Sequence, residues 1–312
     1  MDVLIVGSIA YDSLESPAGK SENELGGSAS YGGFSAAFHS KMLGLSDIAL
    51  VGVVGDDFSK NDLSLYDAAG LNIEGIEILE GETFRWKGAY HGDMAVAQTL
   101  ETHLNVFENF VPKVPKFALE PNVLFCANLH PSIQLSVLNQ TTARRLTVLD
   151  SMNLWIDIAR DELITAMKRV DLVILNDGEI RMLAGEQNLI LAGKIVQEMA
   201  GNPILVIKRG EHGVTALHRE GIISIPAYPV IDLIDPTGCG DSFAGAMTAH
   251  LAKGDGEISH TELMESLVHA TVTASFTLES FGTEALRAIS PGDYHSRLIA
   301  YRALSNTRLS QE

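Results

Sequence analysis

The sequence contains little cysteine and few basic residues. Its 312 residues include two cysteines, Cys126 and Cys239, so no disulfide framework is expected and we predict a reducing, cytoplasmic compartment. Lys and Arg number 22 against 40 Asp and Glu, and the resulting net charge of −18 argues against binding to nucleic acid or to an anionic membrane surface. No apolar run approaches the roughly 18 residues of a transmembrane helix, so no membrane span is expected.

The N-terminal segment MDVLIVGSIA has no basic residues before its short apolar run. We therefore expect a strand here rather than a cleaved signal peptide. A Gly-x-Gly-x-x-Gly motif does not follow this predicted strand, which argues against a dinucleotide-dependent oxidoreductase.

Short apolar runs rich in Val, Ile and Leu recur along the chain and predict strands buried on both faces. These runs are 3–8, 48–55, 122–129, 146–150, 172–176 and 204–208. Helical patterns lie between them, for example at 155–168 and 189–200, so the sequence predicts an α/β fold with a doubly wound, mostly parallel sheet. A hairpin is predicted at 214–219 and 222–228, and the chain from Asp241 to about residue 304 is expected to be mostly helical.

Residues 76–106 break this pattern, because their apolar and polar residues alternate with a period near two. Turn signals at Glu80-Gly81 and Gly92-Asp93 predict a small antiparallel sheet inserted into the α/β core. Such an insertion is either an inert excursion or a lid over the carboxyl ends of the parallel strands, where ligands bind in this architecture. The residue pattern by itself leaves both alternatives open.

The segment DPTGCGDSFAGA, residues 235–246, contains a tight turn before a helical pattern. Gly238, Cys239 and Gly240 can direct backbone N–H groups into one small space at the helix N-terminus, which favours anion binding. A carboxylate here would repel a bound phosphate, but it suits a base that accepts the proton of an attacking hydroxyl. Asp241 is therefore either such a base or a helix N-cap residue, and these twelve residues favour neither.

The segment Ile234-Asp-Pro-Thr-Gly-Cys-Gly-Asp-Ser-Phe243 resembles the C-terminal signature of the ribokinase/PfkB family of carbohydrate kinases. Five further segments resemble other motifs of the family and occur in the same order. They are Gly7-Ser-Ile-Ala-Tyr-Asp12, Gly26-Gly27, Gly52-Val-Val-Gly-Asp-Asp-Phe58, Asn176-Asp-Gly-Glu179 and Lys208-Arg-Gly-Glu-His-Gly213. Because the motifs extend over roughly residues 3–285, the chain is identified as a member of this family.

The resemblance implies one ribokinase-like domain over residues 1–312, with a β-lid formed mainly by about 76–106 and partly by about 11–25. It implies an ATP-dependent kinase that uses Mg²⁺, with Asp241 as catalytic base and an anion hole at Gly238, Cys239 and Gly240. It further assigns Asp12, Gly26, Gly27 and Asn128 to the substrate, with Asp12 at the carboxyl end of the first strand. The nucleotide is assigned to Asn176, Lys208, Gly210 and Gly213, Mg²⁺ to Glu179 through water, and the K⁺ that some members bind to Asp235 and Thr237.

The residues after Gly26-Gly27 bear on the class of substrate. The run Ser28-Ala-Ser-Tyr-Gly-Gly33 lacks the Asn or Lys through which many family members contact the sugar, which argues against ribose itself. Our leading prediction is phosphorylation of a primary hydroxyl of a free sugar or sugar-like small molecule. A nucleoside kinase is the second candidate, because residues Gly7–Asp12 resemble the start of some bacterial adenosine kinases at least as closely as they resemble the start of ribokinase. A catalytically silent member is a third alternative. A phosphosugar kinase is disfavoured, since Arg85 and Lys87 are the only Lys or Arg within 76–106.

Several other residues are weighed and given no catalytic role. Arg85 and Trp86 in the lid are candidates for contact with the substrate, but for Trp86 we rather expect packing on the apolar face of the lid. His269 falls near the family's adenine pocket, and we expect it to be an ordinary helix residue. The ten histidines show no ligand spacing for a transition metal, and none is assigned. Because lid strands in this family can pair between subunits, the resemblance allows a homodimer through the lid, and the sequence does not determine the oligomeric state.

Overall fold

The structure, a computed structural model, describes residues 1–92 and 94–305. The strands are β1 (Val3–Val6), β2 (Ala10–Ser16), β3 (Gly19–Gly26), β4 (Ile48–Gly55), β5 (Leu71–Leu79), β6 (Phe84–Tyr90), β7 (Ala97–His103), β8 (Val123–Cys126), β9 (Leu146–Asp150), β10 (Leu172–Asn176), β11 (Ile204–Lys208), β12 (Val214–His218) and β13 (Gly221–Ile225). The α-helices are α1 (Ser28–Leu43), α2 (Lys60–Ala69), α3 (Pro131–Gln140), α4 (Asn153–Ile158), α5 (Arg160–Met167), α6 (Asp177–Ala184), α7 (Leu189–Met199), α8 (Cys239–Ala252), α9 (His260–Thr277), α10 (Glu284–Ala288) and α11 (Pro291–Ser305).

A nine-stranded sheet forms the centre of the protein, in the order β13-β12-β11-β10-β9-β8-β1-β4-β5. All neighbours from β11 to β5 are parallel, and β12 and β13 add an antiparallel hairpin at one edge. The predicted doubly wound, mostly parallel sheet is therefore confirmed. The hairpin predicted at 214–219 and 222–228 is also present, although its second strand ends earlier, at Ile225.

Both faces of the central sheet are buried under helices. Val3 and Ile5 of β1 belong to a hydrophobic cluster that also contains residues of α1, α8 and α9. Leu4 and Val6 belong to a second cluster, with residues of α5, α6 and α7. This two-sided burial explains why the strand sequences are continuously apolar instead of alternating.

A second, four-stranded sheet has the order β3-β2-β6-β7. The prediction of an antiparallel sheet over 76–106 is wrong in two respects. Residues 76–79 belong to β5 at the edge of the main sheet, and the central pair β2–β6 is parallel, while β2–β3 and β6–β7 are antiparallel. The predicted turn at Gly92-Asp93 includes Asp93, which lies outside the described residues.

Other differences from the predicted elements are small. The helix predicted at 155–168 is two helices, α4 and α5, separated at Ala159, whose φ of −140° and ψ of 34° are not helical. The runs 3–8 and 122–129 stop being strands at Val6 and Cys126. Within residues 1–92 and 94–305, no helix combines the length and the hydropathy needed to cross a membrane.

Candidate active site

Three neighbouring strands of the main sheet end in polar residues. Asp150 is the last residue of β9, Asn176 of β10 and Lys208 of β11, and Asn176 is paired with Lys208 in the register. The carboxyl ends of parallel strands lie at one edge of a sheet, and there Lys208 Nζ lies 2.7 Å from Asp150 Oδ2. Burial raises the pKa of Asp150, and the ammonium group of Lys208 opposes that rise. The result is a buried ion pair at the edge where doubly wound folds bind ligands.

Residues 235–240, called the glycine turn from here on, lead into α8. Gly238 is the N-cap of α8 with a φ of 72°, and a Cβ there would lie 2.2 Å from Cγ of Tyr31, so only glycine fits. The Cys239 N–H donates to Pro236 O at 3.2 Å and is thus held within the turn. The predicted anion hole then depends on the amides of Gly238 and Gly240. The alternative that Asp241 is the N-cap is wrong, because Gly238 occupies that position.

Asp241 lies in the first turn of α8, beside the ion pair. A Cβ at Gly240 would lie 2.9 Å from Lys208 Nζ, so the ammonium group lies against the N-terminus of this helix. Burial raises the pKa of Asp241 to about 7; Asp150 adds to the rise and Lys208 opposes it. A carboxyl group with such a pKa is suited to proton transfer near neutral pH.

Asp12 lies on the second sheet, not at the carboxyl end of the first strand where the sequence placed it. It is in β2, it is 4% exposed, and its Oδ2 would lie 1.9 Å from a Cβ at Gly26. Burial raises the pKa of Asp12 to about 8, and the nearby carboxylates of Asp235 and Asp241 add to the rise. The fold therefore brings the predicted residues Asp12, Gly26, Asp235 and Asp241 to one region, although they come from different elements.

Asp235 is fixed by backbone amides of two segments. Its Oδ1 accepts from Thr237 N at 2.9 Å and its Oδ2 from Gly282 N at 3.4 Å, and the residue is 1% exposed. A buried carboxylate among backbone groups is an oxygen donor of the kind that K⁺ takes, so these residues fit the predicted cation. The hydroxyl of Thr237 donates to Tyr90 Oη at the end of β6, which links the glycine turn to the second sheet.

Asn176 and Glu179 form a capping box at the start of α6. Asn176 Oδ1 accepts from Glu179 N at 2.8 Å, and Glu179 Oε2 accepts from Asn176 N at 2.7 Å. Asn176 Nδ2 donates to Glu179 Oε1, also at 2.7 Å. Burial raises the pKa of Glu179 to about 7, opposed by Lys208. Each carboxylate oxygen still has a lone pair that could accept from a metal-bound water, which fits an indirect role toward Mg²⁺.

The surroundings of three further predicted site residues, Asn128, Gly213 and Gly210, differ from one another. Asn128 follows β8, and its Oδ1 accepts from Trp155 Nε1 at 2.9 Å. A Cβ at Gly213 would lie 2.1 Å from Ile225 O, so chain packing alone requires this glycine. A Cβ at Gly210 would meet no described atom within 4 Å, so the backbone there is open to a ligand.

Arg85 and Trp86 lie on β6 of the second sheet. Arg85 Nη2 is 2.7 Å from Asp57 Oδ2, and Arg85 Nη1 donates to Asn23 Oδ1 at 2.7 Å. The Trp86 ring covers Gly88 of the same strand, since a Cβ there would lie 2.1 Å from the ring. Trp86 thus packs on its own sheet, as expected. The guanidinium group of Arg85 contacts Asp57 and Asn23 within the protein.

Tyr31 is a candidate site residue that the sequence did not reveal. It lies in α1, it is 1% exposed, and its hydroxyl has no hydrogen-bond partner among residues 1–92 and 94–305. Burial raises its pKa, and Asp12 and Asp235 contribute to that rise, which places the ring among the site carboxylates. The sequence feature that could have indicated Tyr31 is its position in residues 28–33, directly after Gly26-Gly27. Many family members have a substrate-binding Asn or Lys in this segment, and this chain has neither. Asp150 and Tyr90 were missed as well.

Comparison with known proteins identifies the family of the chain. The pfkB family carbohydrate kinase model matches residues 2–288. A cytidine kinase of Thermococcus kodakarensis is 30% identical over 258 residues, which cover 81% of this chain and 90% of that protein.

Solved structures of the same fold include two with ligands. A Burkholderia thailandensis nucleoside kinase in complex with inosine has a TM-score of 0.74 at 20% identity, and the match covers 96% of this chain and 99% of that one. A ribokinase of Cryptococcus neoformans in complex with ADP has a TM-score of 0.75 at 20% identity, covering 95% and 99%. At these identities the likeness shows a ribokinase-like fold.

Proposed function

The chain belongs to the pfkB family of carbohydrate kinases, and from this premise we propose that it transfers the γ-phosphoryl group of ATP to a primary hydroxyl of a ribonucleoside. That it is a sugar or nucleoside kinase follows from the family; the acceptor class is the proposal. The similarity to a cytidine kinase over 90% of that protein's length is the observation that carries it. This reverses the order predicted from the sequence, which put a free sugar first.

The proposed chemistry uses Asp241 as the base. Its carboxylate accepts the hydroxyl proton while the hydroxyl oxygen bonds to the γ-phosphorus, and the bond from that phosphorus to the β-phosphate oxygen breaks to release ADP. In this proposal the ammonium group of Lys208 and the amides of Gly238 and Gly240 stabilise the charge on the transferred group. The raised pKa of Asp241 supports this role, since a base with a pKa near 7 is both available and effective at neutral pH.

We assign acceptor binding to the region between Gly26-Gly27, Asp12 and Asn128. A buried carboxyl such as that of Asp12 suits the vicinal hydroxyls of a ribose ring, and the Tyr31 hydroxyl can add a further hydrogen bond. Asn128 already accepts from Trp155, so its amide nitrogen is the group that would face a substrate.

The nucleotide phosphates are assigned to Asn176, Lys208 and the open backbone at Gly210, with a smaller role for Gly213. A cavity of about 540 Å³ is lined by Tyr228, Phe276, Ile289 and Arg297 among others, and we assign it to the adenine. Support comes from Cys239 Sγ, which lies 3.6 Å from Ala274 O and joins the glycine turn to this end of α9.

Two cations complete the proposal. Mg²⁺, held mainly by the phosphates and through water by Glu179, would neutralise phosphate charge. K⁺ beside Asp235 and Thr237 would stiffen the glycine turn. Comparing turnover in K⁺ with turnover in Na⁺ or choline tests the second assignment.

We further propose that the second sheet is a lid on a single domain of residues 1–312. Its closure would exclude water, which competes with the acceptor hydroxyl. The outer strand, β7, is exposed along most of its length, and an uncovered edge strand can pair with a second copy. A homodimer through this sheet is therefore expected. We keep a reducing, cytoplasmic compartment as a proposal.

The test is coupled ADP release with ATP and Mg²⁺ across cytidine, uridine, adenosine, inosine, ribose, hexoses and inositols, with Asp241→Asn as the blank. Turnover above the blank with a nucleoside, and lower turnover with every free sugar, is the expected result. A free sugar as the best acceptor would overturn the acceptor class and restore the second candidate. Turnover no higher than the blank with every compound would favour a catalytically silent member.

A further inference from the structure

Three histidines from three helices meet on the face of the sheet that α8 covers. His39 comes from α1, His250 from the last turn of α8 and His269 from α9. His39 Nδ1 lies 3.0 Å from His250 Nε2, and the rings of His250 and His269 are stacked with centroids 3.9 Å apart. One nitrogen from each ring lies within 4.8 Å of the other two.

This spacing is close to that of a zinc site. Three nitrogens at about 2.0–2.1 Å from one Zn²⁺ in tetrahedral geometry are about 3.3 Å apart. The His39–His250 pair already has nearly this separation. The ring of His269, which is stacked on that of His250, has to rotate out of the stack to point a nitrogen at the same ion. Imidazole nitrogens are ligands that Zn²⁺ and other first-row divalent ions take readily.

The groups around the rings orient them as ligands. His39 Nε2 lies 2.6 Å from Thr273 Oγ1, and His269 Nε2 lies 3.3 Å from Glu265 Oε1. A hydrogen-bond partner on the far nitrogen is what fixes the tautomer of a metal-ligating imidazole. Nδ1 of His39 is thereby directed to His250, whereas Nδ1 of His269 faces the Tyr294 hydroxyl and would exchange that hydrogen bond for the ion. The Tyr294 hydroxyl, which is hydrogen-bonded to His269 Nδ1, is an oxygen that can complete the coordination.

An entry path is also present. A cavity of about 510 Å³ is lined by His250, His269 and Tyr294, together with the exposed residues Lys253 and His295. The cluster is therefore reachable from the surface, and there is room for a water ligand.

We propose that His39, His250 and His269 form a binding site for one Zn²⁺ or similar first-row divalent ion. The ion would tie α1, which begins at the predicted substrate glycines, to α8, which carries Asp241, and to α9. Along α8, His250 is about 13 Å from Asp241 at a rise of about 1.5 Å per residue. The site thus stabilises the fold around the active site without entering it. The spacing of the histidines along the chain predicts no such site, because each comes from a different helix.

Cobalt is the probe for this site, because tetrahedral Co²⁺ absorbs in the visible range and Mg²⁺ does not compete for imidazole. Chelator-treated full-length protein, without nucleotide and with excess Mg²⁺, is titrated with Co²⁺ and then with Zn²⁺. We expect one Co²⁺ per chain, displacement by Zn²⁺, and a Tm higher by about 5 °C when free Zn²⁺ is about 100 times its Kd. No visible absorption and no rise in Tm would overturn the proposal.

Variants locate the ion. His250→Gln and His269→Gln each remove one donor and should abolish both the visible absorption and the Tm increase. His103→Gln, on the exposed strand β7, is the matched control and should leave both unchanged. Circular dichroism checks that each variant folds. If either site variant folds normally and still binds one Co²⁺ with an unchanged spectrum, the ion lies elsewhere and the proposal fails. None of these measurements uses kinase turnover, so they stand apart from the proposed function.

Discussion

The hydroxyl oxygen of Tyr90, at the end of β6, lies 3.1 Å from Oγ1 of Thr237 in the glycine turn. Tyr90 is only 7% exposed, and its strand belongs to the sheet that also carries Asp12. The second sheet thus contacts the segment that precedes Asp241 as well as supplying a carboxylate to the site. If the sheet moves as the proposed lid, this hydrogen bond would couple its position to the geometry of the glycine turn.

Removing the Tyr90 hydroxyl should loosen this coupling. A neutral hydrogen bond contributes about 1 kcal/mol, so we expect Tyr90→Phe to raise the KM of the acceptor about fivefold. It should also increase ATP hydrolysis without acceptor, because water reaches the site more often. Thr237→Val should reproduce both effects and Thr237→Ser should not. Unchanged KM and hydrolysis in Tyr90→Phe would argue against the coupling.

Asp241→Asn should lower kcat by about 10² to 10⁴, the usual contribution of a positioned base. ATP affinity, measured by calorimetry, should change little, because the amides and Lys208 remain. Asp232→Asn, on an exposed residue of the preceding loop, is the control and should keep normal turnover. Near-normal turnover in Asp241→Asn would show that another group accepts the proton.

The activity should depend on pH through the same carboxyl group. Because the base acts in its charged form and its pKa is raised to about 7, kcat/KM for the acceptor should increase as pH rises through 7 and then level off. Lys208 opposes the rise in pKa, so Lys208→Met should move the midpoint upward. Asp12 lies near Asp241 and has a pKa of about 8, so it can also contribute to the pH dependence of kcat/KM. The pH profile of Asp12→Asn measures that contribution. An aspartate with the ordinary pKa of about 3.9 would be charged throughout pH 5 to 9 and would give a constant kcat/KM there. A constant kcat/KM over this range would therefore contradict the assignment.

Tyr31→Phe should separate binding from stability. The Tyr31 hydroxyl is buried with no partner among the described residues, so its removal should leave Tm unchanged or higher. If it contacts the acceptor, KM should rise about tenfold, with kcat less affected. Tyr66→Phe is the matched control: its buried hydroxyl lies 2.7 Å from Ser30 Oγ, and its loss should lower Tm. An unchanged KM in Tyr31→Phe would exclude substrate contact.

Replacing only one partner of the Asp150–Lys208 ion pair should lower the stability of the fold. Asp150→Asn removes the carboxylate that lies 2.7 Å from a largely buried ammonium group, so we expect the free energy of unfolding in urea to fall by about 3 kcal/mol. The double variant Asp150→Asn/Lys208→Met should be less destabilised than Asp150→Asn. Equal stability of wild type and Asp150→Asn would mean that the pair is effectively solvated.

Local sequence determined the elements that need no distant partner. Strands 146–150, 172–176 and 204–208 are predicted to the residue, because each apolar run is bounded by polar or turn-forming residues. The glycine turn before α8 was predicted for the same reason, since Gly238 and its neighbours set their own backbone geometry.

Tertiary structure alone decided which of these elements meet. Asp12 was predicted at the end of the first strand, but pairing of β2 with β6 places it on the second sheet. The contact between Asp150 and Lys208 and the cluster around His250 join residues far apart in the chain. Periodicity shows which face of a segment is buried, but not which segment covers it, because strand pairing and helix packing depend on contacts across the whole chain.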